Sequence, residues 1–460
     1  MSESKKSVND SFIQRMGNSL LRLAMKYMPD STIFAIVLTV IAFILGLVLT
    51  DQGPLQMAKH WGDGFWGLLT FGMQMALIII TGSCVASSPS VRRIINRIAE
   101  IPKTGRQATW FIAFVSILIS FFHWGLSLVV AGQLSKSIAR RFQDENEPFE
   151  YGLFGAAAYS GLMTWGGTLS ASVGLSIATP GHFLEKEMGI VTMTDYMFNL
   201  PNIFITICFI VLCPLLLMML HPNKERCNKL SDRAKGVIQT LDPKPLERPE
   251  NPSVGDSLNY SSILTLIIVV LGFVYIVSSF IEKGFSALNI NMLNIIFLFL
   301  GMFLHKNVAN YVRAIGNSVK EASGVIFQFP FYAGIQGMIA GSGLINIFSK
   351  SMSGLGSEPA FMLVTFLVAA LVNMFVPSGG GQWAVQGPIA IASAKLLNAN
   401  VIKSSLMVAY GNTWTNMAQP FWALSLFGIT GLEAKDMMGY SIAFMILTGP
   451  MFIVASLLPM

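Results

Sequence analysis

The chain has 460 residues, 53% of them hydrophobic and only 12% charged, about half the charge of a soluble globular protein, which runs near 25%. With a mean hydropathy of +0.60, that composition excludes a water-soluble enzyme and a disordered chain. The apolar runs are continuous rather than alternating, which also excludes a transmembrane barrel.

Residues 1–30 form a polar leader. Phe12, Met16, Leu20, Leu23 and Tyr27 fall at helical spacing with Arg15, Arg22 and Lys26 between them. This spacing predicts an amphipathic helix on the anionic cytoplasmic leaflet, with membrane lipids as its partner. It is too long and too amphipathic for a signal peptide. Apolar segments of spanning length follow at 32–50, 65–88, 108–133, 151–178, 201–220, 261–281, 290–304, 322–340, 360–397, 404–427 and 438–459.

The net charge of +6 fits Lys and Arg gathered in cytoplasmic loops better than nucleic-acid binding, so no nucleic-acid partner is expected. Lys and Arg in the leader place the N-terminus in the cytoplasm. Segment 32–50 exits, and 65–88 returns to a loop with Arg92, Arg93, Arg97, Lys103 and Arg106. If 108–133 then crossed, Lys136, Arg140 and Arg141 would lie outside, against the rule. A re-entrant hairpin over 108–139, bent at His123-Trp124-Gly125, removes the conflict. Segment 151–178 exits and 201–220 re-enters to a polar linker, 221–257, with seven Lys/Arg and a run of prolines.

The pattern then recurs upside down. After a connecting span at 258–289, residues 290–460 carry a second hairpin at 360–397, entered from outside and broken at Pro377-Ser378-Gly379-Gly380-Gly381. Phe71-Gly72-Met73-Gln74 resembles Ile326-Phe327-Gln328-Phe329, and Ala158-Tyr159-Ser160-Gly161 resembles Ala409-Tyr410-Gly411-Asn412, about 250 residues apart. The expected fold is an all-α polytopic membrane protein of two inverted-topology repeats, 31–220 and 290–460. Each repeat has a re-entrant helical hairpin and a broken transmembrane helix, the architecture of secondary transporters.

Four breaks interrupt the apolar runs: His123–Ser127, Thr164–Ser172, Pro377–Trp383 and Asn412–Pro420. Polar clusters in hydrocarbon must either pack helices or line a cavity. The glycines after Ser378 open a helix whose N–H groups suit an anion. No GK[ST] follows, so this is not a nucleotide loop. Candidates for an anionic substrate are Thr164, Gly166, Gly167, Ser378, Gly379, Gly380, Gly381, Asn416 and Gln419. For Gly166-Gly167, close helix packing is an equal alternative. Candidates for a coupling cation, with Na⁺ the ion that hydroxyl and amide oxygens suit, are Ser127, Thr168, Ser378, Asn412 and Asn416. No carboxylate, Lys or Arg lies deep in a span, so His123 is the one proton-carrier candidate, with a structural role as its alternative. Trp124, Trp165, Trp383, Trp414 and Trp422 lie near the breaks, as substrate wall or as core. The four cysteines show no metal-ligand spacing, and no cofactor or metal is expected beyond a coupling ion such as Na⁺.

At these residues a resemblance emerges. Trp61-Gly62-Asp63-Gly64-Phe65-Trp66, Leu162-Met163-Thr164-Trp165-Gly166-Gly167, Phe329-Pro330-Phe331-Tyr332-Ala333-Gly334-Ile335-Gln336, Val376-Pro377-Ser378-Gly379-Gly380-Gly381 and Asn416-Met417-Ala418-Gln419-Pro420-Phe421-Trp422-Ala423 resemble the bacterial short-chain fatty acid transporter family of the acetoacetate-degradation type. That family is similar in turn to the ion-transporter superfamily. The resemblance covers nearly the whole chain. It implies uptake of short monocarboxylates such as butyrate or acetoacetate across the inner membrane, by elevator-type alternating access. Cation-coupled symport is expected separately, because a lone anion entering the cell is opposed by the inside-negative potential. A homodimer is the candidate assembly. An ion channel, a membrane-embedded enzyme, or a carrier for another small organic anion such as a dicarboxylate stays open from the residues alone, although the spans offer no catalytic set. The family pattern has Asn where His123 stands and His where Gln382 stands, so no role carries over to either position.

Overall fold

The computed structural model describes residues 31–460 except 224–226, 229, 240–245, 355, 375 and 377. The expected leader helix, and Pro377 of the second hairpin, lie outside the described residues. Among the described residues every regular element is helical.

The first half comprises α1 (Ser31–Leu49), α2 (Pro54–Gly64), α3 (Leu69–Ala86), α4 (Pro89–Ile98), α5 (Gly105–Phe122), α6 (Trp124–Asp144), α7 (Tyr151–Tyr159), α8 (Ser172–Ile177) and α9 (Leu200–Met219). A tight 3-10 stretch, Ser160–Gly167, and an extended link separate α7 from α8. The second half comprises α10 (Ser262–Lys283), α11 (Ile290–His305), α12 (Val308–Gly341), α13 (Leu344–Ser353), α14 (Glu358–Asn373), α15 (Gly379–Leu396), α16 (Val401–Thr415), α17 (Ala423–Thr430) and α18 (Ala434–Leu457). A 3-10 turn, Asn416–Ala418, breaks α16 from α17.

Sequence chemistry sets the ends. Ser88 and Thr104 accept from Val91 N and Gln107 N to start α4 and α5, and His123 caps α6 by accepting from Leu126 N. Ser378 caps α15 by accepting from Gly381 N. Such side-chain acceptors satisfy N–H groups that a helix start leaves orphaned. The segment expected at 322–340 belongs to a helix of 34 residues that begins at Val308. Arg313 and Lys320 made its first turns read as a loop, yet long basic side chains leave a helix by reaching outward. The short helices α2, α4 and α13 were also not expected. They are too short and too polar to stand out from the connections.

Packing repeats between the halves. Helix α3 packs on α6 as α12 packs on α15, α4 on α6 as α13 on α15, α5 on α7 as α14 on α16, and α5 on α9 as α14 on α18. The long helices α3 and α12 pack on each other and join the halves. Among the described residues, five helical stretches are apolar and long enough to span a bilayer. Helix α10 exposes Leu271, Val274 and Ile281 at 60%, 61% and 79%, a surface that water would not tolerate and lipid does.

The charged segments meet on one face. The Arg141 guanidinium donates to Pro102 O, and Ser137 Oγ donates to Asn96 Oδ1 at 3.0 Å. The open end of the α5–α6 pair therefore returns to the loop it left. The linker joins this face: Arg140 donates to Ile238 O, and Glu150 Oε2 accepts from Asn228 N at 2.9 Å. Arg233 of the linker lies 3.8 Å from Glu433, at the start of α18. At the far end of α18, Leu457, Pro459 and Met460 line a cavity of about 520 Å³ with Glu358 and Asn398, at the open end of the α14–α15 pair, and Lys403 of α16. Helix α18 has 24 residues, about 36 Å at 1.5 Å per residue. The two helix pairs thus open at opposite ends of it.

Candidate functional site

All four breaks converge on one indole. Trp124, first residue of α6, stacks on Trp165 of the first broken helix at 4.5 Å between centroids. Trp422, just before α17, stands edge-on to both, at 4.9 Å from Trp124 and 5.6 Å from Trp165. From the fourth direction comes Gly379 of the α14–α15 junction. A Cβ there would lie 3.2 Å from Cη2 and Cζ2 of Trp165 and 3.5 Å from Asn412 Oδ1. Trp165 is held in place by its own Nε1–H, which donates to Ser170 O at 3.1 Å. Trp383 and Trp414 are not part of this cluster: Trp414 donates to Met445 O and packs on Phe366 and Phe452.

Beside the indoles lies a buried amide network. Asn412 Nδ2 donates to Asn373 Oδ1 and Gln382 Oε1, each at 2.7 Å. Asn373 Nδ2 donates to Asn412 O, Thr415 Oγ1 and Asn416 Oδ1. Gln419 Nε2 donates to Asn373 O and Asn416 Oδ1, and Gln382 Nε2 donates to Ala369 O and Gln386 Oε1. Both amide orientations on α16 are fixed by their donors and acceptors. Two atoms remain without a hydrogen-bond partner among the described residues: the acceptor Asn412 Oδ1 and the donor Asn416 Nδ2. A buried polar group left unpaired costs about 1–3 kcal/mol; Asn412 stands in the last turn of α16 and Asn416 opens the 3-10 turn that follows it.

The breaks expose carbonyls that the halves satisfy for each other. Tyr159 OH, at the end of α7, donates to Asn416 O at 3.0 Å and Gln419 O at 2.9 Å across the molecule. Its sequence counterpart Tyr410 donates to Asn202 Oδ1 at 2.8 Å, and Asn202 Nδ2 donates to Gly167 O at 2.7 Å. Tyr196 OH donates to Gly166 O.

The expected site residues divide accordingly. Gly379, Asn412, Asn416 and Gln419 come together at the indoles and the amide network, while the Ser378 hydroxyl is used to cap α15. Gly381 is packed against the Tyr332 ring and Gly380 against Phe71 and Phe329. Gly166 and Gly167 lie in the first break with their carbonyls already bonded, and Gly167 closes on Asn202, whose Oδ1 would sit 1.8 Å from a Cβ. Thr164 donates to Gly161 O of its own turn. Thr168 donates to Ser120 O, 3.4 Å away. Ser127 Oγ donates to Ser116 O at 2.7 Å and lies 3.0 Å from Ser116 Oγ, in a hydroxyl cluster under Gly161. His123 lies 4.2 Å, ring to ring, from Phe297, against Gly82. Sequence reasoning missed Asn373, Gln386, Tyr159, Tyr410 and Asn202. A lone amide in an apolar run, which is costly unless bonded, was the available signal for Asn373 and Asn202. Among the described residues no three His, Cys, Asp or Glu side chains are grouped to hold a metal ion.

Comparison with known proteins places this arrangement. The family model described as short chain fatty acid transporter matches residues 12–458. A protein of Escherichia coli (strain K12) named for short-chain fatty acid transport is 40% identical over 450 residues, covering 96% of this chain and 99% of that one. A protein of Haemophilus influenzae with the same name is 38% identical over 449 residues, again covering 96% and 99%. Among solved structures, the crystal structure of the Alcanivorax borkumensis YdaH transporter aligns with a TM-score of 0.58 at 15% identity, covering 93% of this chain and 97% of that one. At that identity the likeness is one of fold.

Proposed function

Because this chain belongs to the short chain fatty acid transporter family, we propose that it takes up short monocarboxylates, such as butyrate or acetoacetate, across the bacterial inner membrane. Uptake of an anion against an inside-negative potential needs a co-transported cation, for which Na⁺ is our choice. One observation carries the reading: the free acceptor Asn412 Oδ1 lies beside Gly379 and Trp165, and the free donor Asn416 Nδ2 belongs to the same buried amide network. A cation on the first and a carboxylate on the second would spend both atoms without an arginine. A single free amide donor suits one carboxylate, which favours a monocarboxylate over a dicarboxylate.

The N-terminus is assigned to the cytoplasm, on the face where residues 89–107, 134–150 and the linker meet. Recurrent packing, with helix pairs that open at opposite ends of α18, supports inverted repeats with re-entrant hairpins. Alternating access is assigned to an elevator-type carriage of the hairpins and broken helices past α3 and α12. Its support is the contact between these groups of helices, where Gly82 meets His123 and Gly380 meets Phe71 and Phe329.

Counterflow of labelled butyrate in proteoliposomes, with and without a Na⁺ gradient, tests this. Butyrate accumulates when Na⁺ is supplied. Accumulation unchanged in choline but abolished with the pH gradient would overturn Na⁺ coupling. Failure to exchange any short monocarboxylate would overturn the substrate, and single-channel currents would replace the carrier with a channel.

A further inference from the structure

Resting on that reading, we propose that the Trp124–Trp165–Trp422 cluster is the acyl-chain gauge of the site, with Trp422 the wall that sets the longest tail accepted. A short fatty acid is a carboxylate joined to a few methylenes, so its site must be polar at one end and apolar at the other. Gly379 is where those two ends meet, since one Cβ position there touches both Asn412 Oδ1 and the Trp165 ring edge. With the carboxylate on the amide side, a tail directed toward Trp165 meets the apolar surface of the indoles.

The three rings are not equivalent. Trp165 is anchored by its N–H bond to Ser170 O. The indole N–H groups of Trp124 and Trp422 have no hydrogen-bond partner among the described residues. Trp124 is nonetheless pinned: it begins α6, its backbone N–H donates to Ser170 Oγ at 3.1 Å, and its ring lies flat on Trp165. Trp422 meets both neighbours by edge contacts only, is 9% exposed where the others are 2%, and stands in the irregular link between the 3-10 turn and α17. It is the ring that can yield to a tail, and its side chain fixes where the tail must stop.

Burying one methylene is worth about 0.8 kcal/mol, about fourfold in affinity, so room for two more methylenes changes preference about 15-fold. Acetate, butyrate, hexanoate and octanoate are competed against labelled butyrate in counterflow, and in parallel each acid's thermal stabilisation of the purified protein is measured. Trp422→Ala raises hexanoate over butyrate about 15-fold relative to wild type, and Trp422→Phe gives an intermediate shift. Gly379→Ala puts a methyl against Trp165 and shifts preference the other way, toward acetate. The stabilisation assay reads the order in any variant that binds without transporting. Should Trp422→Ala yield no folded protein, Trp422→Phe and Gly379→Ala decide. An unchanged order in the variants that bind butyrate overturns the gauge and leaves the transport function standing. A wild-type protein that neither binds nor exchanges any of the acids overturns the function, and this inference falls with it.

Discussion

Gly82→Ala probes how the first hairpin tip is held. A Cβ at Gly82 would sit 2.2 Å from Cε1 of His123 and under 3 Å from both ring nitrogens, where carbon atoms pack at about 3.5–4.0 Å. The ring cannot simply retreat. It lies 4.2 Å from the Phe297 ring on another side, and its Nδ1 accepts from Leu126 N at 3.2 Å, capping α6. Overpacking costs about 1–3 kcal/mol and loss of the cap about 1 kcal/mol, so the substitution should destabilise by about 2–4 kcal/mol in all. It should also slow butyrate transport, because Trp124 follows His123 directly and stacks on Trp165. His123→Asn offers a matching relief. Asparagine is a strong N-cap acceptor and lacks the ring atoms that the new methyl would strike. The double variant should therefore recover much of what Gly82→Ala loses, with a favourable coupling of about 1–3 kcal/mol. Thermal unfolding of the purified protein followed by tryptophan fluorescence, on both singles and the double, measures it. Additive losses would refute the assignment of Gly82 to making room for His123.

Asn416→Ala removes the free donor and should weaken butyrate affinity about 10- to 100-fold, the effect of losing a bond to a charged group worth about 1.5–3 kcal/mol; the concentration dependence of counterflow reads it, and wild-type affinity would return Asn416 to packing. Gly167→Ala drives a methyl into Asn202 and should abolish a monodisperse peak in size-exclusion chromatography, whereas Gly62→Ala, with open space around it, should not. His221, in the loop after α9, has its pKa pushed below the ordinary value by burial and secondarily by Arg106. Its folded state resists protonation while the unfolded chain takes up a proton near pH 6.5, so stability is full above that pH and falls as pH drops below it toward the lowered value. His221→Gln should flatten that acid-side fall in thermal midpoint; an unchanged slope would locate the loss elsewhere.

The breaks were legible because hydrocarbon makes them expensive. Glycine, proline and amides inside apolar runs have few roles there, and each run flagged on that ground is a helix interruption in the structure. The break at His123 is legible from charge, since the positive-inside pattern groups Arg140 and Arg141 with Arg97 and Lys103; the helices part at His123, and Arg141 bonds to Pro102 O. The partnerships were not legible. Tyr159 and Tyr410 look like core aromatics in the sequence, and only the fold shows their hydroxyls reaching carbonyls or amides of the opposite half. Asn373 ends an apolar helix more than 30 residues before its partners on α16, so no local spacing pointed to it. Thr164 and Ser127 were chosen for their oxygens, but hydroxyls in apolar helices readily bond back to a nearby carbonyl, and Thr164 does so.

The halves repeat their packing yet divide their chemistry. In the first, three break carbonyls are taken by side chains: Gly166 by Tyr196, Gly167 by Asn202, Ser170 by the Trp165 indole. Beside them stand the Trp165 ring and the Ser172 hydroxyl, which has no hydrogen-bond partner among the described residues. In the second, six amide side chains share one buried network, and a donor and an acceptor in it have no hydrogen-bond partner among the described residues. Gln382 sits at its centre, accepting from Asn412 and donating to Ala369 O and Gln386. An amide can do both at once from the ends of one group, whereas a neutral imidazole has one donor and one acceptor on opposite sides of a ring. A histidine at position 382 could therefore not make all three contacts with the geometry seen here. The orientation of Asn412 depends on the residue at 382, and with it the direction in which the free oxygen of Asn412 points.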